Sequence, residues 1–201
     1  MDLLKLVCQS KNKDNKAFQV LFELSYDEVY RTAYMITQSR TMSEDAVQEA
    51  FLKAFERLDT LKEPKKFVSW IKAITARCAI DMLRQQKRLT LLDDYADYPI
   101  NDCISPALLP QPETEAELRE LKAKLREVIR SLDAIHRQVI VLKYYLGFDT
   151  LEISGILDLP TGTVKSRLHR ALKILNSKIS SDKSFPLPAY NTMIKKGGTL
   201  Q

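Results

Sequence analysis

The chain has 201 residues, of which 45% are hydrophobic and 28% charged, with a formal net charge of +5 at pH 7. Such values suit a globular protein with room for one large domain or two small ones, and 5 glycines leave little material for a turn-rich β architecture. The three cysteines, Cys8, Cys78 and Cys103, form no CxxC pair, and with only two histidines, His136 and His169, no zinc-ligand spacing arises. Free thiols point to a reducing cytoplasm. No run of about 18 apolar residues occurs, and the start, MDLLKLVC, lacks the basic region and long apolar stretch of a leader. A Gly-rich phosphate loop, a metal cluster and a nucleophile-with-base constellation are all missing from the sequence, so no enzyme, cofactor or small-molecule substrate is expected. The mild cationic excess permits a polyanionic partner, and its distribution along the chain matters more than its total.

Helical periodicity runs from residue 14 to residue 88. Ala17, Phe18, Leu21, Phe22 and Leu24 begin it, and Val29, Tyr30, Ala33, Tyr34 and Ile36 continue it with the next face. Thr41-x-x-Glu44 has the spacing of a capping box before SEDAVQEAFLKAFERL. In that helix Val47, Ala50, Phe51, Ala54 and Leu58 share a core face, while Asp45, Gln48, Glu49, Leu52 and Glu56 share the opposite one. An apolar residue ringed by charge fits a docking surface, and equally an ordinary exposed leucine.

The next segment, EPKKFVSWIKAITARCAIDMLRQQKR, turns basic. Between residues 62 and 88 it carries eight cations (Lys62, Lys65, Lys66, Lys72, Arg77, Arg84, Lys87, Arg88) against two acids, Glu63 and Asp81. Phe67, Trp70, Ile71 and Ile74 form an apolar stripe. Aromatic rings in a basic helix suit single-stranded nucleic acid, where bases stack and phosphates are neutralised, although Phe67 and Trp70 also read as core.

Residues 89–117 change character, with four prolines, seven acids and no Lys or Arg. Proline breaks helices and unbalanced like charge opposes compaction, so this stretch reads as an acidic linker, with a partly ordered loop anchored by its apolar residues as the other reading. Helix patterns resume over 114–178. In DTLEISGILDLPTGTVKSRLHRAL, Asp149 and Glu152 form a capping box, Leu151, Ile153, Ile156 and Leu157 give an apolar face, and Asp158-Leu159-Pro160 break the helix. Val164, Leu168, Ala171 and Leu175 then form an inward stripe, with Lys165, Ser166, Arg167, His169, Arg170 and Lys173 outward and no acid between Pro160 and Lys178. Two short helices joined by a tight turn, the second basic, make a helix-turn-helix whose cations can reach phosphates and base edges in a major groove. The tail from 180 to 201 has no clear periodicity and reads as mobile.

The pieces EDAVQEAFLKAFERL, FVSWIKAITARCAIDMLRQQKR and GFDTLEISGILDLPTGTVKSRLHRAL, in this order and flanking an acidic linker, resemble the extracytoplasmic-function sigma factors of the sigma-70 family over residues 14–178. The resemblance implies an all-α protein with two small helical domains: region 2 over 1–88, a linker over 89–117, region 4 over 118–179 and a tail over 180–201. It further implies an alternative sigma factor that binds core RNA polymerase and promoter DNA. Core docking falls to Asp45, Gln48, Glu49, Leu52 and Glu56, which in the family meet the clamp helices of the largest polymerase subunit. Minus-ten recognition and melting fall to Lys65, Lys66, Trp70, Lys72, Arg77, Arg84, Lys87 and Arg88. Minus-thirty-five reading falls to Thr163, Lys165, Ser166, Arg167, His169 and Arg170. An anti-sigma factor, often membrane-bound in the family, is a further expected partner. Two positions depart from the pattern: Arg77 stands where Asn is frequent, and Asp133 replaces the proline usual after Leu132. A stand-alone helix-turn-helix regulator is the other function class the helices fit, but it would need a ligand pocket or phosphoacceptor in the first block, and neither is visible in the sequence.

Overall fold

Three alanines spaced four apart, Ala46, Ala50 and Ala54, are fully buried along one helix of the chain's computed structural model. That model describes residues 3–90 and 115–182, with side chains over 3–86 and 119–182. The expected acidic linker and C-terminal tail lie almost wholly outside the described residues, as do Cys103 and the side chains of Lys87 and Arg88. All elements among the described residues are helical, as expected. They group into two compact units, one of residues 1–96 and 141–159, the other of 97–140 and 160–201.

The first unit is built on α2 (Asn15–Thr37), α3 (Arg40–Arg57) and α4 (Phe67–Thr90), which pack on one another pairwise. The alanine row of α3 and the buried Ala33, Ala76 and Ala79 let backbones approach closely, because a methyl group fills far less of the interhelical space than a leucine. Larger side chains close the remaining space: Leu21, Val29 and Ile36 from α2, Val47 and Phe51 from α3, and Phe67, Ile71 and Ile80 from α4. The expected α3 core of Val47, Ala50, Phe51, Ala54 and Leu58 is buried throughout.

Asp14 accepts the N–H groups of Lys16 and Ala17 and so caps α2. Gln38, in the left-handed region at φ 55°, ends it. The expected capping box at Thr41 and Glu44 is displaced. The N-cap is Ser39, whose hydroxyl accepts the Met42 N–H, so Thr41 lies inside the helix and Glu44 pairs instead with Arg40 at 2.9 Å. Leu24, one of the apolar residues that begin the helical pattern, is 59% exposed. An element not expected from the sequence, α1 (Leu3–Lys11), packs on α2 through Leu6, Val7 and Ser10.

The same unit contains a π-helical turn, Val141–Tyr145, and α7 (Thr150–Leu157). The Leu146 N–H reaches the Val141 carbonyl five residues back. Gly147 then turns the chain at φ +78°, a backbone region that costs glycine nothing.

The second unit packs α8 (Thr161–Ser181) against α6 (Ala134–Ile140) and α5 (Glu115–Arg130). Leu121 and Ile179 form one buried contact, joined by Leu125 and Val128. Asp133, the departure from the family's proline, explains itself here. Its carboxylate accepts the His136 backbone N–H at 2.9 Å and faces the His136 ring at 2.8 Å, while its carbonyl accepts the Arg137 N–H. A proline would only pre-set the backbone at this helix start; the aspartate caps it.

Two tests follow from this packing. Ala50→Leu forces a larger side chain into the closest helix approach and should cost about 1–3 kcal/mol in denaturant unfolding. Asp133→Ala should cost about 1 kcal/mol. Partial burial pushes the Asp133 carboxyl up, but the His136 donors outweigh it and hold the carboxyl below its ordinary value. The cap's contribution is therefore present above the ordinary carboxylate range and fades as pH falls through the depressed value. Asp133→Asn, which keeps an acceptor without titrating, should retain most of the stability and lose that acid dependence.

Candidate nucleic-acid interface

The basic segment enters the structure as a 3-10 turn, Pro64–Lys66, leading directly into α4. Phe67 and Ile71 are fully buried, and this anchoring turns other residues of α4 outward. Trp70, Arg77 and Arg84 recur every seven residues, so they lie in one row with a rise of about 10 Å between neighbours. Trp70 is half-buried and tilted against Phe67 at a ring separation of 6.2 Å. The two readings of the aromatics thus divide: Phe67 is core, and Trp70, half-buried, lines with Arg77 a cavity closed on its other side by Phe148, Gly155 and Ile156 of the same unit.

The cations differ in availability. Lys65 and Arg77 are exposed. Lys66 bridges Glu63 at 2.7 Å, both groups largely in water, where such a pair yields readily to a phosphate. Lys72 lies 3.4 Å from Glu28, with its side chain only 18% exposed, so it mainly serves the packing of α4 on α2. Arg84 sits 3.5 Å from Asp81. Cys78 is buried beneath this row with Lys53 Nζ at 3.7 Å; burial pushes its thiol up despite the nearby ammonium, which keeps it protonated and unreactive.

On α3 the expected acidic face is present. Asp45, Gln48 and Glu56 are exposed and Leu52 is 64% exposed among them. Glu49 leans away and bridges Lys53 at 3.1 Å. The sequence reading left out Phe55, which is 46% exposed. Its position three residues after Leu52 and seven after Gln48 carries the signal that could have found it.

At the other end of the chain, the Asp149–Glu152 capping box forms in both directions, at 2.7 and 2.8 Å. Ile153, Ile156 and Leu157 are buried as expected, but Leu151 is 73% exposed and does not belong to that face. Asp158, at φ 51°, ends α7, and Ser154 holds the turn by donating its hydroxyl to the Leu159 carbonyl and accepting the Leu159 N–H at its own carbonyl. α8 then starts from Pro160, which gives no side-chain cap. Its first N–H groups, the positive end of the helix dipole, are therefore left for solvent or a ligand. Val164, Ala171 and Leu175 are buried and Leu168 is half-buried, with Ile179 extending the stripe. Lys165 and Lys173 are exposed, while Thr163, Arg167, His169 and Arg170 are partly covered. Ser166 donates its hydroxyl to the Thr163 carbonyl at 2.9 Å, so it can meet a base only as an acceptor while that bond lasts.

Residues 21–89 match the Sigma-70 region 2 family and residues 122–175 match Sigma-70, region 4. The chain is similar to the ECF RNA polymerase sigma factor SigW of Bacillus subtilis, 30% identical over 186 residues, covering 89% of this chain and 97% of the relative. It is also similar to the ECF RNA polymerase sigma-E factor of Escherichia coli K12, 30% identical over 177 residues, covering 87% of this chain and 92% of that one. In fold it resembles CnrH, solved in complex with the cytosolic domain of CnrY, with a TM-score of 0.51 and 22% identity, covering 90% of this chain and 100% of CnrH. A second fold neighbour is the sigma factor RpoE, solved with the anti-sigma factor NepR from Bartonella quintana, with a TM-score of 0.51 and 20% identity over 84% of this chain and 99% of that one.

If the Lys165 ammonium donates to a base edge, Lys165→Ala should weaken binding to a matched DNA duplex by about 1–3 kcal/mol. Fluorescence anisotropy on matched and scrambled duplexes separates the roles. A loss confined to the matched sequence assigns base readout, and an equal loss on both assigns a phosphate contact.

Proposed function

The chain belongs to the ECF RNA polymerase sigma factors, which direct RNA polymerase to promoters, and from that premise we propose how its surfaces divide the work. The face of Asp45, Gln48, Glu49, Leu52 and Glu56 on α3 docks on the clamp helices of core RNA polymerase. The basic surface of Lys65, Lys66, Trp70, Lys72, Arg77, Arg84, Lys87 and Arg88 receives and helps to melt the minus-ten element. Thr163, Lys165, Ser166, Arg167, His169 and Arg170 read the minus-thirty-five element. Residues 1–88 and 118–179 act as the two domains, with 89–117 as the acidic linker between them.

One observation carries the docking assignment above all: Leu52 is mostly exposed on a helix whose opposite face is a fully buried alanine row. A leucine held rigidly in water among carboxylates gains nothing for this fold, whereas burying it against a partner returns about 2 kcal/mol. For melting, the supporting feature is the row of Trp70, Arg77 and Arg84. It alternates a stacking platform with cations, the combination that single strands need. Arg77, larger and charged where the family often has a neutral amide, favours phosphate contact over a shaped base pocket.

None of these steps makes or breaks a covalent bond, so the protein acts by binding and positioning and has no catalytic activity of its own. Among the described residues no helix is long and apolar enough to cross a membrane. The reduced thiols and the partnership with polymerase favour a cytoplasmic site of action. Since one fold neighbour was solved bound to an anti-sigma factor, we take this chain also to be held by such a partner until it is released.

Leu52→Asp should weaken binding to purified core polymerase by at least tenfold while circular dichroism stays unchanged. With wild-type chain, run-off transcription from genomic fragments should start at discrete promoters. Unaltered pull-down by the Asp variant would remove the docking assignment, and only nonspecific transcripts from the wild type would remove promoter selection.

A further inference from the structure

The loop of residues 58–66, between α3 and α4, presents Lys62, Lys65 and Lys66 to solvent. Leu58 and Leu61 anchor it in the core. Its own hydrogen bonds are local. The Leu61 N–H reaches the Leu58 carbonyl at 3.1 Å, the Thr60 hydroxyl the Arg57 carbonyl at 2.7 Å, and the Lys66 N–H the Glu63 carbonyl at 2.9 Å. These belong to two 3-10 turns, Leu58–Thr60 and Pro64–Lys66, which are short and weakly bonded elements. Between them Leu61 is extended, at φ −72° and ψ 101°.

The Leu61 carbonyl is met from far away in the sequence. Lys11 of α1 donates its ammonium to it at 2.5 Å, across 50 residues. α1 also packs on both 3-10 turns as well as on α2. A helix of 9 residues does not hold its form alone in water, so α1 is folded only while it is docked. Leu6, Val7 and Ser10 are its buried face, and Ser10 turns its hydroxyl back to the Leu6 carbonyl at 2.8 Å. Its end is fixed to α2 by a tight turn. Lys13, at φ 64°, donates its N–H to the Ser10 carbonyl at 3.0 Å, and Asp14, the cap of α2, donates its own to Gln9 at 3.3 Å. A lysine in the last turn of a helix ordinarily stays in water or serves that helix's own carbonyls. Lys11 is half-buried and reaches out to the loop instead.

We propose that Lys11 is a positioning residue for the minus-ten element: through the Leu61 carbonyl, α1 braces the loop that carries Lys65 and Lys66 and sets where these cations meet the opened strand. This rests on the minus-ten role proposed for Lys65 and Lys66 and adds to it a residue outside the basic segment. Lys11 itself touches no DNA. Its bond fixes a peptide four and five residues before the two cations, and a rotation there would swing both. A loop ordered in advance does not lose that freedom at the moment of binding.

The test compares Lys11→Met, which keeps the apolar stem and removes the donor, with Lys11→Arg, which keeps a donor. Three quantities are measured: amide hydrogen exchange over residues 58–66 of the full chain, affinity for purified core polymerase, and the rate of promoter opening. Opening is read from permanganate reactivity of unpaired thymines on a promoter found by run-off transcription. Lys11→Met should speed exchange in the loop, leave the affinity for core unchanged and slow opening by up to about tenfold, the equivalent of one charged hydrogen bond. Lys11→Arg should restore both exchange and opening. If Lys11→Met opens the promoter like wild type, whatever its exchange, the brace has no part in recognition and the proposal falls. A parallel loss of core affinity would overturn it too, by marking a general structural role. Should Lys11→Met lose helicity by circular dichroism, Lys11→Gln takes its place under the same criteria. Lys65→Ala with Lys66→Ala separates the two readings. If that pair is slowed and Lys11→Met is not, only the brace fails; if the pair also opens normally, the minus-ten role of the loop fails with it.

Discussion

The close approach of α3 to its neighbours, permitted by Ala46, Ala50 and Ala54, is the constraint on which the other surfaces depend. An interface lined by methyl groups has no space for bulky side chains, so they must stand at its margins. Phe51 and Phe67 close the core at those margins, and Leu52 and Phe55 lie beyond them, partly in water. The apolar material that could not enter the core has become surface. Because the helices that carry it are fixed by close packing, the surface is rigid, and a partner need not order it on binding.

Charge is mixed on α2 and α3, where Glu23, Asp27, Glu28, Asp45 and Glu56 are exposed together with Lys16, Arg31, Arg40 and Arg57, whereas Lys65, Lys66 and Arg77 stand exposed on the 3-10 turn and α4. Lys72 of α4 meets Glu28 of α2 at 3.4 Å where these surfaces adjoin. Under the proposed division of work, the cations of the 3-10 turn and α4 attract the phosphates of a polyanion, and the carboxylates of Asp45 and Glu56 beside Leu52 would repel them.

Much of this was legible in the sequence, and the exceptions have physical causes. The α3 core row, the buried Phe67 and the Asp149 box followed from 3.6-residue spacing and capping chemistry, which are local. Leu24 and Leu151 misled because periodicity states which residues share a face, not whether a neighbouring helix covers it. Ser39 was passed over for Thr41 because both precede the helical pattern and only backbone angles distinguish an N-cap from a first turn. The short α1 offered too few residues for a period to show. Phe55 was visible as a residue, but its contact with Phe18 exists only once α2 and α3 pack. The π-helical turn at Val141–Tyr145 has no sequence signal among ordinary apolar residues.

Four helix starts share one electrostatic device. Asp14, Ser39, Asp133 and Asp149 each cap a helix with a side-chain oxygen. α8 starts instead from Pro160, without a side-chain cap and with no acid in its first turn. An aspartate there would stabilise the free protein by roughly 1 kcal/mol, as the others do. If α8 enters a groove as proposed, that carboxylate would also face the duplex phosphates and oppose the contact that orients the helix. The Asp133 cap on α6 supplies local stability in the same unit without that conflict. Under the promoter-reading role, the start of α8 is left open because its natural cap is the DNA itself.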